Sequence, residues 1–242
     1  MLDYLNVVKS FGTRTILHGL SFSVSKGSIC FILGTSGTGK SVLLKNTVGL
    51  MKPDSGQILL EGKDIVPLSE DELGEVRRKC GMVFQQPALL DSLSVFDNVA
   101  FGLRRLTKMN ETQIRDRVIE ALTAVNMEKI LTRRPSEISY GMQKRVSLAR
   151  TLALEPQVLL FDEPTTGLDP QTTRAVNDLI YSLSRKYNTS SLVVSHDMAC
   201  ALAIADQIVV LDKGSIVDMG TPKEIRQSQV PLVRDFMREV QA

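Results

Sequence analysis

The sequence predicts an α/β fold, and three features of the chain support this. Residues 29–33 and 158–161 are short and fully apolar, which is typical of strands buried on both faces of a parallel sheet. Near the N-terminus, segments that alternate apolar and polar residues favour a half-buried antiparallel sheet. Residues 87 to about 134 have helical spacing and no strong strand signal. Together these features predict an α/β core with an antiparallel β-subdomain and an inserted α-helical subdomain.

The N-terminal third is predicted to consist mainly of strands. Phe11 and Gly12 form a turn with an aromatic residue at its edge. Ser69 and Glu72 have the spacing of a capping box, so a helix is expected to run from there towards Lys79. The predicted strands in this part of the chain are residues 2–8, 20–24, 29–33, 56–60 and 81–84.

The helical insertion is placed approximately at 87–155. Within it, Ile114, Val118 and Leu122 recur at helical spacing, and a second helix is expected to start near Gly141. We expect the whole chain, 1–242, to form a single domain. The elements predicted after the insertion are strands at 158–161 and 192–194, a hairpin at 208–217, and helices after Pro170, after Pro222 and across 232–240.

Composition excludes several classes of function. The net charge of +2, with 23% charged residues, is not the strong basic field of a nucleic-acid-binding protein, and none is expected as a partner. Three scattered cysteines indicate buried thiols in a reducing compartment, and two histidines make a zinc site improbable. No apolar run approaches the ~18 residues that span a bilayer. With no signal peptide apparent, a cytosolic, soluble chain is expected, whose membrane role depends on a partner.

The strand at 29–33 leads into a phosphate-binding loop. Gly34, Gly39, Lys40 and Ser41 match the pattern G-x-x-x-x-G-K-[ST], with a strand before it and a helix after it. A chance match in a glycine-rich turn is disfavoured by that context. Lys40 is expected to reach the β- and γ-phosphates, and Ser41 to ligate Mg²⁺. The expected nucleotide contacts are Gly34, Thr35, Ser36, Gly37, Thr38, Gly39, Lys40, Ser41 and Val42.

A pair of acidic residues ends the apolar strand at 158–161. Asp162 is expected to reach the Mg²⁺ site because its strand should lie parallel to the loop strand in the same sheet. Glu163 would point past the metal and polarise an attacking water. Hydrolysis of the γ-phosphate of a nucleoside triphosphate is therefore the predicted reaction.

Six motifs in order make the sequence resemble the nucleotide-binding subunit of an ABC (ATP-binding cassette) transporter over essentially its whole length. After the phosphate loop come the Q-loop glutamine Gln85, a signature segment at 138–142, the Asp162–Glu163 pair, a D-loop at 167–169 and the switch histidine His196. Phe11 stands where the family stacks an aromatic ring on adenine. The resemblance implies a P-loop NTPase core of the ABC type that binds ATP and Mg²⁺.

The resemblance also assigns roles to individual residues. Ser139 and Gly141 would contact the γ-phosphate held by a second copy, so that two chains enclose ATP in a two-fold dimer. Gln85 would contact Mg²⁺ or the attacking water, and His196 the γ-phosphate. Asp169 would organise the opposing chain's loop across the interface.

Two of the departures from the family signature, which usually reads Leu-Ser-Gly-Gly-Gln, change the size or polarity of the side chain. Tyr140 replaces the first glycine and adds bulk beside a presumed phosphate contact, and Met142 replaces the glutamine. Ser139 and Gly141 are retained, so activity is expected to survive.

The resemblance narrows to a cassette that drives a separate permease. The chain has one cassette, no coiled-coil or zinc insertion and no fused membrane domain, which sets aside translation-factor, DNA-repair and fused-exporter relatives. The region after Gln85 would form the groove for a permease helix, although each of its apolar residues could instead pack the subdomain. The candidate lining residues are Ala88, Leu89, Leu90, Val95 and Phe96.

Residues 84–101, Met142 with the basic pair Lys144–Arg145, and residues 231–236 resemble the ATPase of MCE/Mla-type phospholipid transporters. This implies lipid movement between the inner and outer membranes, a permease, an MCE lipid-binding protein, and a position on the cytoplasmic face of the inner membrane. A polar amino-acid importer motor and a cell-division ATPase that transports nothing remain as alternatives.

Overall fold

The computed structural model describes residues 1–241, in which ten strands and nine α-helices are formed. The strands are β1 (Leu2–Phe11), β2 (Arg14–Val24), β3 (Ile29–Leu33), β4 (Ser55–Leu60), β5 (Lys63–Asp64), β6 (Cys80–Val83), β7 (Val158–Asp162), β8 (Ser190–Ser195), β9 (Gln207–Asp212) and β10 (Ser215–Gly220). The helices are α1 (Lys40–Thr47), α2 (Glu70–Lys79), α3 (Val95–Leu106), α4 (Glu111–Ala124), α5 (Tyr140–Leu152), α6 (Pro170–Tyr187), α7 (Met198–Ile204), α8 (Pro222–Ile225) and α9 (Pro231–Gln241), with a 3₁₀ turn at Pro135–Glu137.

The central element is a six-stranded sheet with the order β10-β9-β3-β8-β7-β6. Its strands from β9 to β6 are parallel, and β10 adds an antiparallel edge. Successive side chains of β3 point to opposite faces, and each face has its own core. Phe31 packs among the helices on one side, whereas Ile32 packs with α1, α2 and the second sheet on the other. Burial on both faces explains why these strands are apolar throughout.

The second sheet is antiparallel, with the order β2-β1-β4-β5, and confirms the predicted N-terminal β-subdomain. Its inner face shares a core with α1 and α2. Tyr4 is fully buried there and stacks on Phe22 with ring centroids 4.3 Å apart. Its hydroxyl lies 2.7 Å from Thr47 Oγ1, and Thr47 in turn donates to the Leu43 carbonyl. This contact ties the β-subdomain to the helix that follows the phosphate loop.

Helices α3, α4 and α5 lie between β6 and β7 in the chain and pack against the opposite face of the six-stranded sheet. Ile114, Val118 and Leu122 are buried on one side of α4, as their spacing predicts. All three helices fall inside 87–155; that these residues form an inserted subdomain of a single domain stays a prediction. Over residues 1–241, every helix is too short or too polar to cross a membrane.

Several element boundaries differ from the sequence prediction. Strand β2 begins at Arg14 and not at residue 20, because Gly19 at φ +76° and register shifts in its pairing with β1 interrupt the alternation. Strand β6 ends at Val83, which leaves Phe84 outside the sheet and exposed. The sequence did not predict helix α7, because its seven residues are all apolar and therefore lack the alternation of apolar and polar positions that marks a surface helix.

We predict that Tyr4→Phe lowers the free energy of unfolding by about 1 kcal/mol, because it removes one buried hydrogen bond and keeps the ring. Tyr4→Ala removes the stacked ring as well and should cost about 3–5 kcal/mol. Urea denaturation measures both. Tyr187→Phe, at an exposed tyrosine, is the matched control and should change stability by less than about 0.5 kcal/mol. An equal loss in the control and in Tyr4→Phe would contradict the role of the Tyr4 hydroxyl.

Candidate active site

Three neighbouring parallel strands end level with one another, and the predicted residues follow their carboxyl ends. Leu33 of β3 lies beside Ser195 of β8, and Val194 lies beside Asp162 of β7. The phosphate loop, His196 and Glu163 therefore start at adjacent points on one edge of the sheet. The structure confirms that the loop strand and the acidic strand are parallel, with β8 between them.

A cleft of about 560 Å³ opens at this edge. It brings together most of the predicted nucleotide and catalytic residues. Its lining residues are Phe11, Arg14, Ile16, Ser36, Gly37, Gly39, Lys40, Ser41, Val42, Gln85, Glu163, Thr166 and His196.

The loop backbone fits closely against its surroundings at two glycines. A Cβ on Gly34 would stand 2.6 Å from the Leu211 carbonyl oxygen, and one on Gly39 would stand 2.6 Å from the Leu17 side chain. Gly39 also has φ +98°, a conformation that side chains rarely adopt. It is the N-cap of α1 and has no side chain to bind the first helical amides. Those amides and the helix dipole therefore remain available to an anion.

Lys40 places a buried ammonium over the loop. Its Nζ donates to the carbonyls of Gly34 at 2.6 Å and Thr35 at 3.1 Å, and it lies 3.8 Å from Glu163 Oε1. Thr38 closes the loop by donating to the Thr35 carbonyl. Burial lowers the pKa of Lys40, and the nearby Glu163 and Asp162 carboxylates oppose that shift. A phosphate in the cleft would meet a cation already held in place by the loop.

Ser41, which lines the cleft, forms a hydrogen-bonded pair of oxygen groups with Asp162. The Ser41 hydroxyl donates to Asp162 Oδ1 at 2.9 Å. Burial raises the pKa of Asp162, while the Ser41 hydrogen bond and the neighbouring lysines favour its ionised form. A hydroxyl, a carboxylate and a phosphate oxygen are the hard ligands that Mg²⁺ prefers, so the donor set fits this ion.

Two neighbouring side chains hold Glu163 through one oxygen of its carboxylate. Oε2 lies 2.8 Å from His196 Nδ1 and accepts a hydrogen bond from Thr166 Oγ1 at 3.1 Å. The backbone of Glu163 has φ +50°, which is uncommon for residues other than glycine. This turn of the backbone carries the carboxylate off the end of β7 and into the cleft. Strained backbone that persists at such a point is typical of functional sites.

Gly34, Thr35 and Thr38 of the loop, and Asp162 beside Ser41, do not line the cleft. Three further predicted residues, at the starts of α5 and α6, do not line it either. Ser139 is the N-cap of α5 and accepts from the Met142 amide, and Gly141 follows in the first turn, with Thr172 2.9 Å from where its Cβ would stand. Asp169 caps α6, where its hydrogen bonds from Thr172 and Gln171 lower the pKa of its carboxyl. Their contact with a nucleotide on another chain stays a prediction.

Tyr140 turns back towards its own chain. Its hydroxyl donates to the Gln85 carbonyl at 3.2 Å and lies 3.4 Å from Gln86 Oε1. The residue that replaces a signature glycine thus contacts the Q-loop. Met142 is half-buried and packs against the helical core.

Sequence reasoning missed four residues of this region. Arg14, Ile16 and Thr166 line the cleft. Lys144, which the sequence groups with Arg145 as a basic segment, is only 7% exposed and lies beneath the loop that follows Glu163. The three-residue spacing of Thr166 from Glu163 was the available signal, since side chains at that spacing in a tight turn lie near each other.

The sequence profile of the ABC transporter family matches residues 17–166. This chain belongs to the ABC transporter family. It is 41% identical to the intermembrane phospholipid transport system ATP-binding protein MlaF of Haemophilus influenzae, over 98% of this chain and 90% of MlaF. It is 39% identical to a probable ribonucleotide transport ATP-binding protein, Mkl, of Mycobacterium leprae and 40% identical to the Fe(3+) ions import ATP-binding protein FbpC of Vibrio cholerae. The match to Mkl covers 98% of this chain and 68% of Mkl, and the match to FbpC covers 97% of this chain and 65% of FbpC.

Solved ABC cassettes share the fold. CbiO1 from Clostridium perfringens, part of the ABC transporter complex CbiONQ, superposes with a TM-score of 0.87 at 31% identity, covering 98% of each chain. The bacterial ABC transporter cassette MJ0796, solved as a dimer, superposes with a TM-score of 0.84 at 30% identity, covering 92% of this chain and 99% of that one. The predicted P-loop core of the ABC type is confirmed, and the chain is an ABC ATPase.

We predict that Lys40→Ala weakens ATP binding about 100-fold or more. The lysine offers charge-assisted hydrogen bonds to phosphate oxygens, each worth about 1.5–3 kcal/mol. Titration with a fluorescent ATP analogue measures the affinity. Lys26→Ala is the control, because Lys26 is exposed in the turn before β3, at the opposite end of that strand. Native affinity in Lys40→Ala would refute the loop assignment.

Proposed function

We propose that this ABC ATPase drives a transporter that moves phospholipid between the inner and outer membranes of a diderm bacterium. The likeness to MlaF supports this, since it extends over 98% of this chain and 90% of MlaF. A further relative, the chloroplastic protein TRIGALACTOSYLDIACYLGLYCEROL 3 of Arabidopsis thaliana, is 41% identical over 98% of this chain and 73% of its own length. The names of FbpC and Mkl point to iron and ribonucleotides, but the chain covers only 65–68% of those proteins.

One observation carries the proposed mechanism, namely the position of the Glu163 carboxylate in the cleft. It lies 2.8 Å from His196 and accepts a hydrogen bond from Thr166 at 3.1 Å. The Lys40 ammonium is 3.8 Å away. A carboxylate in this position can accept a proton from a water that attacks the γ-phosphate. Lys40 and the amides at the start of α1 hold the phosphates and stabilise the charge that develops on them. The ring of Phe11, exposed at the cleft's edge, would stack on adenine.

Ser41 and Asp162 would hold Mg²⁺, and Gln85, which also lines the cleft, would contact the ion or the attacking water. When bound, this ion neutralises charge on the phosphate oxygens. The protein's own contribution is to fix the donors: the Ser41 hydroxyl donates to Asp162 and orients its carboxylate. With Nδ1 held against Glu163, the other ring nitrogen of His196 would remain to contact the γ-phosphate.

A second copy of the chain would complete the site. Ser139 and Gly141 lie at the N-terminus of a thirteen-residue helix, which favours an anion, yet they do not line the cleft of their own chain. In a two-fold dimer they would reach the γ-phosphate of the partner, and Asp169 would shape the loop across the interface. ATP would then stabilise the closed dimer, and hydrolysis would release it.

The permease would receive this motion through the surface after Gln85. Of the expected lining residues, Leu90 is exposed, whereas Val95 is fully buried in the helical core and cannot line a groove. Leu89 and Phe96 also pack against that core, and Phe101 exposes a further apolar side chain in this segment. An MCE lipid-binding protein on the other side of the membrane would be a further partner. The ATPase would lie on the cytoplasmic face of the inner membrane, held by its permease.

We predict that Glu163→Gln lowers kcat for ATP hydrolysis at least 100-fold, since an amide cannot accept the proton, while ATP affinity stays within about twofold. Dimers should accumulate with ATP, which size-exclusion chromatography measures. Glu75→Gln, at an exposed glutamate of α2, is the control and should hydrolyse ATP at the native rate. Steady-state turnover unchanged by Glu163→Gln would disprove the assignment of the base.

For the transported substrate, we predict that the complex purified with its permease carries bound phospholipid, identified by mass spectrometry of the extracted small molecules. Phospholipid added to that complex should also raise its ATPase rate. The Glu163→Gln complex should retain the lipid and lose the rate. Recovery of amino acids, iron or ribonucleotides without phospholipid would contradict the lipid proposal and favour the corresponding importer.

A further inference from the structure

Lys144 is a buried cation outside the cleft, on the signature helix α5. Only 7% of the residue is exposed, and burial lowers the pKa of its ammonium. Its hydrogen-bond acceptors are two main-chain carbonyls, those of Pro164 at 2.9 Å and Thr166 at 2.8 Å. Burying an ammonium costs considerable free energy, and neutral carbonyls offset it less well than a carboxylate would. An apolar side chain would fill this position at lower cost to folding, so the lysine calls for a specific reason.

The two carbonyls belong to the turn that holds Glu163. Pro164 follows Glu163 directly, and the Thr166 amide donates back to the Glu163 carbonyl at 3.3 Å. The Thr166 hydroxyl then donates to Glu163 Oε2 at 3.1 Å. One residue, Thr166, is therefore held by Lys144 through its main chain and holds the carboxylate through its side chain. The turn begins at φ +50° in Glu163, so it depends on contacts from outside to keep this conformation.

The same helix also contacts the Q-loop. The Tyr140 ring lies over the Lys144 ammonium at 5.3 Å, and its hydroxyl donates to the Gln85 carbonyl. Two turns further along α5, Arg150 donates to the carbonyls of Pro87 and Ala88. The helix that begins at the signature Ser139 is thus bonded both to the turn of Glu163 and to the loop of Gln85. A shift of the signature segment would move both.

We infer that Lys144 is a positioning residue for Glu163, acting through Thr166 and linking the placement of the base to the signature helix. The inference rests on the proposed role of Glu163 as the base that activates water. Lys144 does not line the cleft, so it would not contact ATP there. Its loss should therefore affect the chemical step more than nucleotide binding.

The test is ATP hydrolysis by the full chain with Lys144→Met, which keeps the apolar stem and removes the donors. We expect kcat to fall about tenfold or more while KM for ATP stays within about twofold. Lys144→Arg, which retains charge and donors, should recover kcat to within about threefold of native. Lys129→Met, at an exposed lysine, is the control and should keep the native kcat. A native kcat in Lys144→Met, or an equal loss of ATP affinity and kcat, would overturn the inference.

A second variant keeps the test independent of folding defects in Lys144→Met. Thr166→Val removes the hydroxyl that holds Glu163 and should lower kcat with KM little changed. If Lys144 acts through Thr166, the double variant should lose no more activity than the more damaging single variant. Losses that multiply would show separate effects and overturn the proposed connection.

The Glu163→Gln variant separates the two proposals. If it stops turnover while Lys144→Met keeps the native kcat, the inference about Lys144 fails and the role of Glu163 stands. If Glu163→Gln hydrolyses ATP at the native rate, the role of Glu163 itself fails.

Discussion

The level carboxyl ends of β3, β8 and β7 are the constraint on which the site depends. Hydrogen-bonded parallel strands keep a fixed register, so the strands that end at Leu33, Ser195 and Asp162 cannot slide past one another. The phosphate loop, the switch histidine and the acidic pair are far apart in the chain but start from neighbouring points. Burial of the sheet on both faces also holds that register. If one strand slipped by one residue, each of its side chains would point into the core on the opposite face, where it does not fit.

Helix α5 supports the same site through hydrogen bonds to the loops that follow β7 and β6. Lys144 bonds the turn after Glu163, and Tyr140 and Arg150 bond the segment that begins at Gln85. Lys40 and Lys144, the two buried cations of the region, each donate to loop carbonyls and so hold a loop in place. Burying each ammonium costs desolvation free energy. The arrangement joins the signature end of the helical segment to the catalytic edge of the sheet. In the proposed dimer, a shift of α5 on closure would reach Glu163 through Lys144 and Thr166, without a contact between Glu163 and the partner.

The sequence predicted those features that depend on neighbours in the chain. The phosphate loop needs glycines, a lysine and a hydroxyl in a fixed order, and a helix must follow it, so Gly34 to Ser41 was recognisable directly. The capping box of Ser69 and Glu72 was equally local, and the structure forms both of its hydrogen bonds. Strand β2 and helix α7 were misjudged, because a glycine with positive φ and an all-apolar segment remove the periodic signal.

The sequence by itself determined the family, the α/β core, and the residue types that can bind phosphate and a hard cation. Only the tertiary structure decided that Ser139 and Gly141 lie outside the cleft, that Tyr140 turns to the Q-loop, and that Lys144 is a buried support and not a surface charge. The physical reason is the range of the interactions. A motif is written in consecutive residues, whereas burial and hydrogen bonding across 20 or 55 positions of the chain depend on how the helices pack against the sheet.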